Sequence, residues 1–457
     1  MDAIDLRTLA DAVGGQLRGE AAGIQGSQID SRNCGGSDAF FALRGERVDG
    51  HDFVPDLAGR AAAAVVEEWV DAAIPQCRVF STRGALAALG RWNRERCDAC
   101  VVGLTGSNGK TTVKEILARI LSEAGETLAT DGNFNNELGV PLTLSRLASR
   151  HDYAVIEMGA NAHGDIAHLT SMVKPHVGLI TNAGAAHLKG FGSVAGVASA
   201  KGELYSGLPA DGVGIVNAED PFAARWLTMI GDRQRLSFGA DDTDADVVAR
   251  RDGDKLVLQV AGRQLSADFA LPGRHNRLNA AAAAAVAVAL DIPHSAISAG
   301  LARVRPVAGR LAEGVAVGGG TVIDDSYNAN PGSLAVGMEV LAERAGERCL
   351  VLGDMAELGS GSEAFHSEAG ERARAFGIDR LLTLGELARK AADSFGAGAE
   401  AFAERTALAA RLAQLDAPER TFLIKGSRSA AMDKVVAALL RENTTNSEGS
   451  DHAAAHQ

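Results

Sequence analysis

The sequence has few cysteines, no surplus of basic residues and no long apolar stretch, and each absence excludes a class of protein. Five cysteines in 457 residues do not form a disulfide framework, and the number is odd. The formal net charge of -13 argues against a surface for nonspecific nucleic-acid binding, which requires clustered lysine and arginine. No stretch reaches the ~18 apolar residues that cross a membrane. We therefore expect no nucleic-acid partner and no membrane insertion.

The cysteines and the N-terminal segment both favour a cytoplasmic protein. Cys97 and Cys100 form a C-x-x-C pair, which is typical of a redox pair or of half a zinc site. No second pair completes a zinc site, and the pair precedes a strand pattern instead of opening a helix, so we expect ordinary reduced cysteines. The segment MDAIDLRTLADAV lacks the basic and apolar regions of a secretory signal.

The chain contains alternating strand and helix patterns that predict an α/β protein of three domains. Hydrophobic residues make up 46% of the sequence and charged residues 23%, as in soluble globular proteins. The boundaries that we expect are 1–83 for a small N-terminal α/β module, 84–308 for a central domain, 309–442 for a C-terminal domain and 443–457 for a disordered tail. In the first of these, QIDSRN, AFFALRG, AAAAVVEE and CRVFST are predicted strands, and LRTLADAVGG is a predicted helix.

The two larger domains are predicted to contain mostly parallel sheets with helices on both faces. Strands are expected at CVVGLT, YAVIEM, HVGLITN and GVGIVN in the central domain, and at GTVIDDS, CLVLGD, RLLTLGE and TFLIKGS in a doubly wound, Rossmann-like C-terminal domain. Residues 246–271 alternate around Asp-Gly and Ala-Gly turns, which predicts an antiparallel appendage. The alanine-rich run after Asn279 is a predicted buried helix.

The segment LTGSNGKTT resembles a phosphate-binding loop between a strand and a helix. In the pattern G-x-x-x-x-G-K-[ST], Leu104 occupies the position of the first glycine. Gly106 and Gly109 still allow a tight turn, Lys110 can reach terminal phosphates, and the Thr111 hydroxyl can bind Mg²⁺. The alternative is a glycine turn without a ligand, but the order of strand, loop and helix favours a nucleotide.

Several polar residues follow other predicted strands, and each has a structural alternative. Glu157 is a metal ligand or a cap for the next loop, and His187 is a ligand or an ordinary surface residue. Lys201 reads as a solvated lysine beside acidic Glu203. Asn276 holds a purine ring or caps a helix.

Two polar segments in the last third of the chain also follow predicted strands. The first, VIDDSYNANPGS, places Asp324, Asp325, Tyr327, Asn328 and Asn330 beyond one strand, and turn formation explains only part of that composition. The second, LIKGSRSAAM, brings Lys425, Ser427 and Arg428 to another strand end. Two cations there suit a carboxylate or phosphate ligand.

Eleven motifs in order give the chain a specific resemblance to the Mur ligase family, and within it to the branch that adds D-alanyl-D-alanine. The resemblance covers nearly all of the chain except the tail. The motifs are DSR, FFALRGERVDGHDF, TGSNGKTTVKE, GNFNNELGVPLTL, VIEMGAN, AAHLKGFGS, AKGE, GRHNRLNA, DDSYNANPGS, VLGDMAELG and KGSRSAAM. The family's shorter loop, T-G-x-x-G-K-[ST], matches residues 105–111, so Gly106 becomes its first glycine.

The resemblance implies roles for individual residues. For ATP these are Gly106, Ser107, Asn108, Gly109, Lys110, Thr111, Thr112, Asn276, Arg310 and Asp325. It implies that Thr111, Glu157, His187 and Lys201 hold Mg²⁺ and that Lys110, Glu157, His187 and Lys201 serve catalysis. Lys201 aligns with a lysine that is carbamylated in some members of the family, and carbamylation of Lys201 itself is a hypothesis. The substrate-binding residues that it implies are Ser31, Arg32, Asn136, Asn328, Asn330, Lys425 and Arg428.

The implied reaction joins UDP-N-acetylmuramoyl-tripeptide to D-alanyl-D-alanine at the expense of ATP, in the last cytoplasmic step of peptidoglycan precursor assembly. The N-terminal module is expected to bind the UDP-sugar, the central domain ATP, and the C-terminal domain the dipeptide, in a monomer. Related alternatives are a folylpolyglutamate synthetase and the ligase that adds the third residue. Diaminopimelate-adding ligases carry D-N-P-R where this chain has SYNANPGS. A regulatory nucleotide-binding protein without turnover is a further alternative.

Overall fold

A computed structural model describes residues 1–260 and 262–440, which form three sheets flanked by helices. These sheets are mostly parallel, which confirms the predicted α/β fold class. No helix among the described residues is long and apolar enough to cross a membrane. The predicted disordered tail, residues 443–457, lies outside the described residues.

The chain divides into two compact units. The first comprises Met1–Gly184 and Gly190–Arg305, and the second comprises Ala185–Lys189 and the chain from Pro306 onward. The first unit contains two of the sheets, and the second unit contains the third sheet.

A five-stranded sheet forms the N-terminal part of the first unit. Its elements are α1 (Leu6–Val13), β1 (Gln16–Arg18), β2 (Gly26–Gln28), β3 (Asp38–Phe41), β4 (Ala63–Val66), β5 (Gln76–Arg78) and α2 (Thr82–Glu95). The strand order is β1-β5-β4-β3-β2, and only β1 is antiparallel to its neighbour. QIDSRN is not one strand as predicted. The strand β2 ends at Gln28, which is the first residue of this segment. Ser31–Asn33 form a 3₁₀ turn because the Asp30 carboxylate accepts a hydrogen bond from the Arg32 amide.

The second sheet of the first unit has nine strands. In chain order the elements of this part of the chain are β6 (Cys100–Thr105), α3 (Lys110–Leu121), β7 (Thr127–Ala129), α4 (Gly139–Leu144), β8 (Tyr153–Glu157), α5 (Asp165–Val173), β9 (Val177–Ile180), α6 (Leu188–Phe191), α7 (Val194–Ser206), β10 (Val213–Asn217), α8 (Ala223–Ile230), β11 (Gln234–Ala240), β12 (Val247–Asp252), β13 (Lys255–Val260), β14 (Arg263–Asp268), α9 (Arg274–Ala289) and α10 (His294–Ala302). The first two residues of α6 belong to the second unit.

The order of this sheet is β14-β13-β12-β11-β10-β9-β6-β8-β7. Pairs from β7 to β12 are parallel, whereas β12, β13 and β14 pair antiparallel. The predicted antiparallel segment is therefore present, and it extends the central sheet through the parallel pair of β11 and β12. The strands β9, β6 and β8 are adjacent and parallel, so the loops at their carboxyl ends lie at one edge of the sheet, where open α/β sheets bind ligands.

The alanine-rich helix α9 packs in the hydrophobic core of the first unit. Ala280 to Ala287 are all buried, in one cluster with Val113, Ile116 and Ile120 of α3. Small side chains allow α9 to lie close to α3 and to the sheet, so this part of the core has little free volume. The sequence prediction of a buried helix is confirmed.

The third sheet belongs to the second unit. Its elements are β15 (Ala312–Val315), β16 (Thr321–Asp325), α11 (Pro331–Ala342), β17 (Glu347–Gly353), α12 (Ser362–Ala375), β18 (Arg380–Leu384), α13 (Ala388–Phe395), β19 (Ala399–Phe402), α14 (Arg405–Leu415), β20 (Arg420–Lys425) and α15 (Asp433–Leu439). The order is β15-β16-β20-β17-β18-β19, with only β15 antiparallel. The sequence analysis missed the two edge strands, β15 and β19, which lack the buried apolar runs of the four central strands.

Enlarging a side chain inside α9 should destabilise the first unit. For Ala284→Leu we expect the free energy of unfolding to fall by about 1–3 kcal/mol, because the added carbons have no space. Urea denaturation followed by fluorescence would measure this, since all three tryptophans, Trp69, Trp92 and Trp226, lie in the first unit. Ala299→Leu, at an exposed position of α10, is the matched control. Equal effects of the two substitutions would contradict the close packing of α9.

Candidate active site

The loop between β6 and α3 requires glycine at two positions. A Cβ atom on Gly106 would lie 1.8 Å from the Thr181 Oγ1 atom. Gly109 has a φ of 82°, in the left-handed region, and a Cβ there would lie 2.6 Å from the Asn279 Oδ1 atom. The loop is thus confined between the segment after β9 and the helix α9, which explains both glycines of the predicted phosphate loop.

Hydrogen bonds from the segment after β9 fix the shape of this loop. The carbonyl of Asn108 accepts from Thr181 Oγ1 at 2.6 Å and from Asn182 Nδ2 at 3.0 Å. The Asn108 amide donates to Asn182 Oδ1 at 2.9 Å, and the Ser107 hydroxyl exchanges hydrogen bonds with the backbone of Gly184. The helix α3 begins directly after the loop, so its first-turn amides and its dipole form an anion-binding end.

Two lysines lie near this end of α3 in different environments. The Lys110 ammonium folds back and donates to the Gly106 carbonyl at 2.7 Å. Lys201 is on the buried face of α7 and is only 3% exposed, so the interpretation as a solvated lysine is wrong. Burial, and then the charge of Lys110, lower the pKa of the Lys201 ammonium well below its ordinary value.

Glu157 ends β8 as a buried carboxylate that is held from three sides. Its Oε2 atom accepts from the Thr111 hydroxyl at 3.0 Å, and Oε1 accepts from Asn135 Nδ2 at 2.8 Å. Its amide donates to Thr130 Oγ1 at 3.0 Å. Both of these hydrogen bonds to the carboxylate come from side chains, and not from the backbone amides that a loop cap would bind. Thr111 and Glu157 instead present adjacent oxygen atoms beside the glycine loop.

This pair of oxygen donors fits Mg²⁺. Within residues 1–260 and 262–440 there is no group of three or more His, Cys, Asp or Glu side chains that could hold a metal ion. A site for zinc would need such a group, whereas Mg²⁺ usually takes one or two protein oxygens and completes its shell with phosphates and water. The hydroxyl of Thr111 and the carboxylate of Glu157, hydrogen-bonded at 3.0 Å, therefore suit a Mg²⁺–nucleotide complex.

Asn276 lies in the first turn of α9 and is buried. Its Nδ2 atom donates to the Pro272 carbonyl at 2.8 Å, and its Oδ1 atom accepts from Asn279 Nδ2 at 3.2 Å. The helix is capped by Gly273 without a side-chain hydrogen bond, so Asn276 is not the N-cap. The contact between Asn279 and Gly109 places the first turns of α9 next to the phosphate loop.

His187 belongs to the second unit, where its Nδ1 atom contacts the Glu357 carboxylate. Its φ of 53° is left-handed, and the neighbouring Lys189 amide donates to the Glu357 carbonyl at 3.4 Å. Glu357 lies in the VLGDMAELG motif but was not selected from the sequence as a site residue. The structure therefore gives His187 a carboxylate partner that sequence spacing did not indicate.

Asp325 and Lys425 form a buried ion pair at the carboxyl ends of β16 and β20. The Lys425 ammonium donates to Asp325 Oδ2 at 2.5 Å and to the Asn328 carbonyl at 2.9 Å. Burial raises the pKa of the Asp325 carboxyl, and the charge of Lys425 opposes this shift. Lys425 was predicted as a substrate contact and Asp325 as a nucleotide contact, and here they bind each other. Register explains the pair, because Asp325 and Lys425 are directly aligned on adjacent parallel strands.

The other predicted residues of the second unit lie around this pair. The guanidinium of Arg310 stacks over the Tyr327 ring at 4.3 Å. Asn328 Oδ1 accepts from the Ala329 amide, and Asn330 caps α11 in a reciprocal capping box with Ser333. Arg428 starts a 3₁₀ turn, with a side chain 69% exposed and 3.4 Å from Asp433 Oδ2. Its exposed guanidinium is thus better placed than Lys425 to receive an anion.

Three of the predicted substrate-binding residues, Ser31, Arg32 and Asn136, lie in the first unit. Ser31 and Arg32 form the 3₁₀ turn after β2, and the half-exposed Arg32 guanidinium binds the Asp30 carboxylate through two nitrogens at 2.9 and 2.6 Å. Asn136 Oδ1 accepts from the amides of Leu138 and Gly139, at the start of α4. The neighbouring Asn135, which the sequence analysis did not select, is the asparagine that binds Glu157. The motif GNFNNE contains both, but spacing does not distinguish them.

Removing the cation of the buried pair should destabilise the second unit. For Lys425→Met we expect a loss of about 3–5 kcal/mol, because Asp325 would remain buried without its partner. Hydrogen–deuterium exchange of peptides from β16 and β20 would report this as faster exchange. The control is Arg428→Met, which removes an exposed cation three residues away. Protection of β16 and β20 that is unchanged in Lys425→Met would show that the pair contributes little.

Comparisons with protein families match three parts of the chain. Residues 23–91 match the model of the Mur ligase family, catalytic domain, residues 104–287 match the Mur ligase middle domain, and residues 309–428 match the Mur ligase, glutamate ligase domain. Together these matches cover both compact units and include the phosphate loop, Glu157 and the buried pair of the second unit.

Similar proteins extend the match to nearly the full length. The chain is 45% identical, over 97% of its length and 100% of the relative, to UDP-N-acetylmuramoyl-tripeptide--D-alanyl-D-alanine ligase of Escherichia coli. A crystal structure of MurF from Acinetobacter baumannii has a TM-score of 0.85 at 36% identity, covering 94% of this chain and 97% of that one. MurF ligase from Thermotoga maritima, solved with ADP, has a TM-score of 0.78 at 28% identity, covering 91% and 97%. The chain belongs to the Mur ligase family.

Proposed function

We propose that this chain is the ATP-dependent ligase that joins UDP-N-acetylmuramoyl-tripeptide to D-alanyl-D-alanine. The observation that supports it most is the phosphate loop with Thr111 bonded to the buried Glu157 carboxylate, in a chain 45% identical to the E. coli ligase over the whole relative. The ADP in the T. maritima structure supports a nucleotide as the ligand of this loop. A cytoplasmic location and a monomeric state stay predictions.

The reaction has two steps, and the protein supplies position and charge for both. In the first step, the terminal carboxylate of the tripeptide attacks the γ-phosphorus of ATP. The bond between that phosphorus and the β,γ-bridging oxygen breaks, which releases ADP and forms an acyl phosphate. The neutral dipeptide amine then attacks the acyl carbon, and the tetrahedral intermediate loses one nitrogen proton and expels phosphate to leave the amide. Lys110 and the first turn of α3 would neutralise charge on the phosphates, while the bound reactants are held in line.

Mg²⁺ would be held in the first unit by Thr111 and Glu157. When bound, the ion would neutralise charge on the phosphate oxygens of the nucleotide. The roles of His187 as a further ligand, of Asn276 at the adenine, and of Arg310 and Asp325 near the nucleotide stay predictions from the family resemblance.

The substrates are assigned to the two ends of the chain. We assign the UDP-sugar to the N-terminal module with Ser31 and Arg32, whose guanidinium is half exposed. We assign the dipeptide carboxylate first to Arg428, because its side chain is exposed whereas the Lys425 ammonium is already bound to Asp325. Asn328 and Asn330, between β16 and α11, are further candidates.

Phosphate release from ATP tests this function directly. We expect release only when UDP-N-acetylmuramoyl-tripeptide and D-alanyl-D-alanine are both present, with a pentapeptide product detected by mass spectrometry. A regulatory nucleotide-binding protein would show no such dependence. Lys110→Ala should lower turnover at least ~100-fold with the fold retained, because it removes a charge from the phosphate site.

The control for this test is Lys255→Ala. Lys255 is an exposed lysine on β13 whose ammonium pairs with Asp268, so its removal should leave turnover unchanged. If neither substrate stimulates phosphate release by the wild-type protein, the proposed function is wrong. Near-normal turnover by Lys110→Ala would contradict only the phosphate-loop assignment.

Lys201 is proposed to carry a carbamate that contributes to metal binding. Its lowered pKa favours the neutral amine, which adds CO₂ and releases one proton to form the carbamate. With ¹³C-bicarbonate, we expect a carbamate carbon signal by NMR in the wild-type protein and no such signal in Lys201→Met. A CO₂-replete, active wild-type enzyme in which only the free amine is found would count against this modification.

A further inference from the structure

Lys114 is a buried lysine with no role in the reaction as described above. It lies on α3, three residues after Thr111, and is 1% exposed. A buried ammonium is costly unless it is hydrogen-bonded and paired. Its Nζ atom donates to the Thr130 carbonyl at 2.6 Å and to the Gly132 carbonyl at 3.3 Å, and lies 3.0 Å from the Glu115 carboxylate. Lys114 therefore binds α3 to the loop that follows β7.

The same loop contacts Glu157 at two points. The Thr130 hydroxyl accepts from the Glu157 amide at 3.0 Å, and Asn135 Nδ2 donates to the Glu157 carboxylate at 2.8 Å. The Asn135 carbonyl also accepts from the Gly159 amide at 2.8 Å, so the loop is attached to the chain on both sides of the carboxylate. The loop thus restrains both the backbone and the carboxylate of Glu157.

These contacts form a closed ring around the proposed metal site. The ring runs from Lys114 to Thr130, from Thr130 to Glu157, from Glu157 to Thr111, and back along one turn of α3. Residues three apart on a helix lie on the same face, so Lys114 and Thr111 can act on the same neighbour. Two members, Thr111 and Glu157, would contact the ion, whereas Lys114 acts through the Thr130 carbonyl and would not contact it.

We propose that Lys114 is a positioning residue that fixes the Glu157 carboxylate for Mg²⁺ through Thr130 and the loop of residues 130–135. The inference rests on the proposed function, since it assumes that Glu157 and Thr111 hold the ion of the nucleotide complex. Mg²⁺ demands near-ideal octahedral geometry, and residues that orient its ligands typically change metal affinity by about 10–100-fold. Removing Lys114 should therefore weaken metal binding more than nucleotide binding.

The competing interpretation is that Lys114 only satisfies buried carbonyl groups. In that case its loss would lower stability but would leave the metal affinity of the folded protein unchanged. Stability and activity alone do not separate the two interpretations, whereas a direct measurement of metal binding does.

The test uses Mn²⁺ as a paramagnetic probe for the Mg²⁺ site. Binding of Mn²⁺ to the full-length protein with ADP is titrated by electron paramagnetic resonance, and binding of ADP without metal is measured by calorimetry. For Lys114→Met we expect Mn²⁺ affinity to fall by about 10-fold or more, with ADP affinity within about twofold of wild type. Thr130→Val, which removes the hydroxyl that accepts the Glu157 amide, should behave alike, and Thr130→Ser should retain most of the affinity.

Lys255→Met is the control, since it makes the same substitution at an exposed lysine and should change neither affinity. Mn²⁺ affinity within twofold of wild type in folded Lys114→Met would overturn the proposal. If Lys114→Met does not fold, Thr130→Val decides: weaker Mn²⁺ binding supports the ring, and unchanged binding overturns it. A wild-type protein that binds ADP but no Mn²⁺ would instead contradict the metal site at Thr111 and Glu157. That result is distinguishable from failure of the proposed function, which phosphate release with both substrates tests separately.

Discussion

The close approach of backbone at residues 106–109 is the constraint on which the candidate active site depends. Thr181 and Asn279 leave no room for side chains at Gly106 and Gly109, so the loop has one shape. With this loop shape, α3 begins at Lys110, and Thr111 lies at the end of the neighbouring strand β8. There its hydroxyl donates to the buried carboxylate of Glu157. The lysine charge, the proposed metal ligands and the helix dipole are therefore brought together by steric exclusion around two glycines.

Much of the fold was predictable because its central strands are buried on both faces. Runs such as CVVGL and CLVLG contain no polar or charged side chain, as expected of strands between two helix layers. The edge strands β15 and β19 were missed since partial exposure removes that signal. The 3₁₀ turn at Ser31–Asn33 was missed for another reason, because a single side chain, Asp30, decides the local conformation.

The candidate site was predictable only where a local pattern specifies a residue. Lys110 and Thr111 follow from the loop motif, and Glu157 follows from its place at a strand end. Burial of Lys201, the pairing of Lys425 with Asp325 and the choice of Asn135 over its neighbour depend on contacts between residues distant in sequence. Such contacts cannot be identified from a single sequence. Without them, a polar side chain is predicted to be exposed to solvent.

The two edges of the nine-stranded sheet affect whether this unit aggregates with other chains during folding. An exposed strand edge can add a strand from another chain, and natural proteins counter this with short or charged edges. One edge here, β7, has only three residues, and the other, β14, places Arg263 and Asp268 at its two ends. Parallel sheets form slowly because their strands are distant in sequence. A terminal hairpin with charged ends therefore closes the sheet with antiparallel strands that form locally, and it discourages edge-to-edge aggregation at that side.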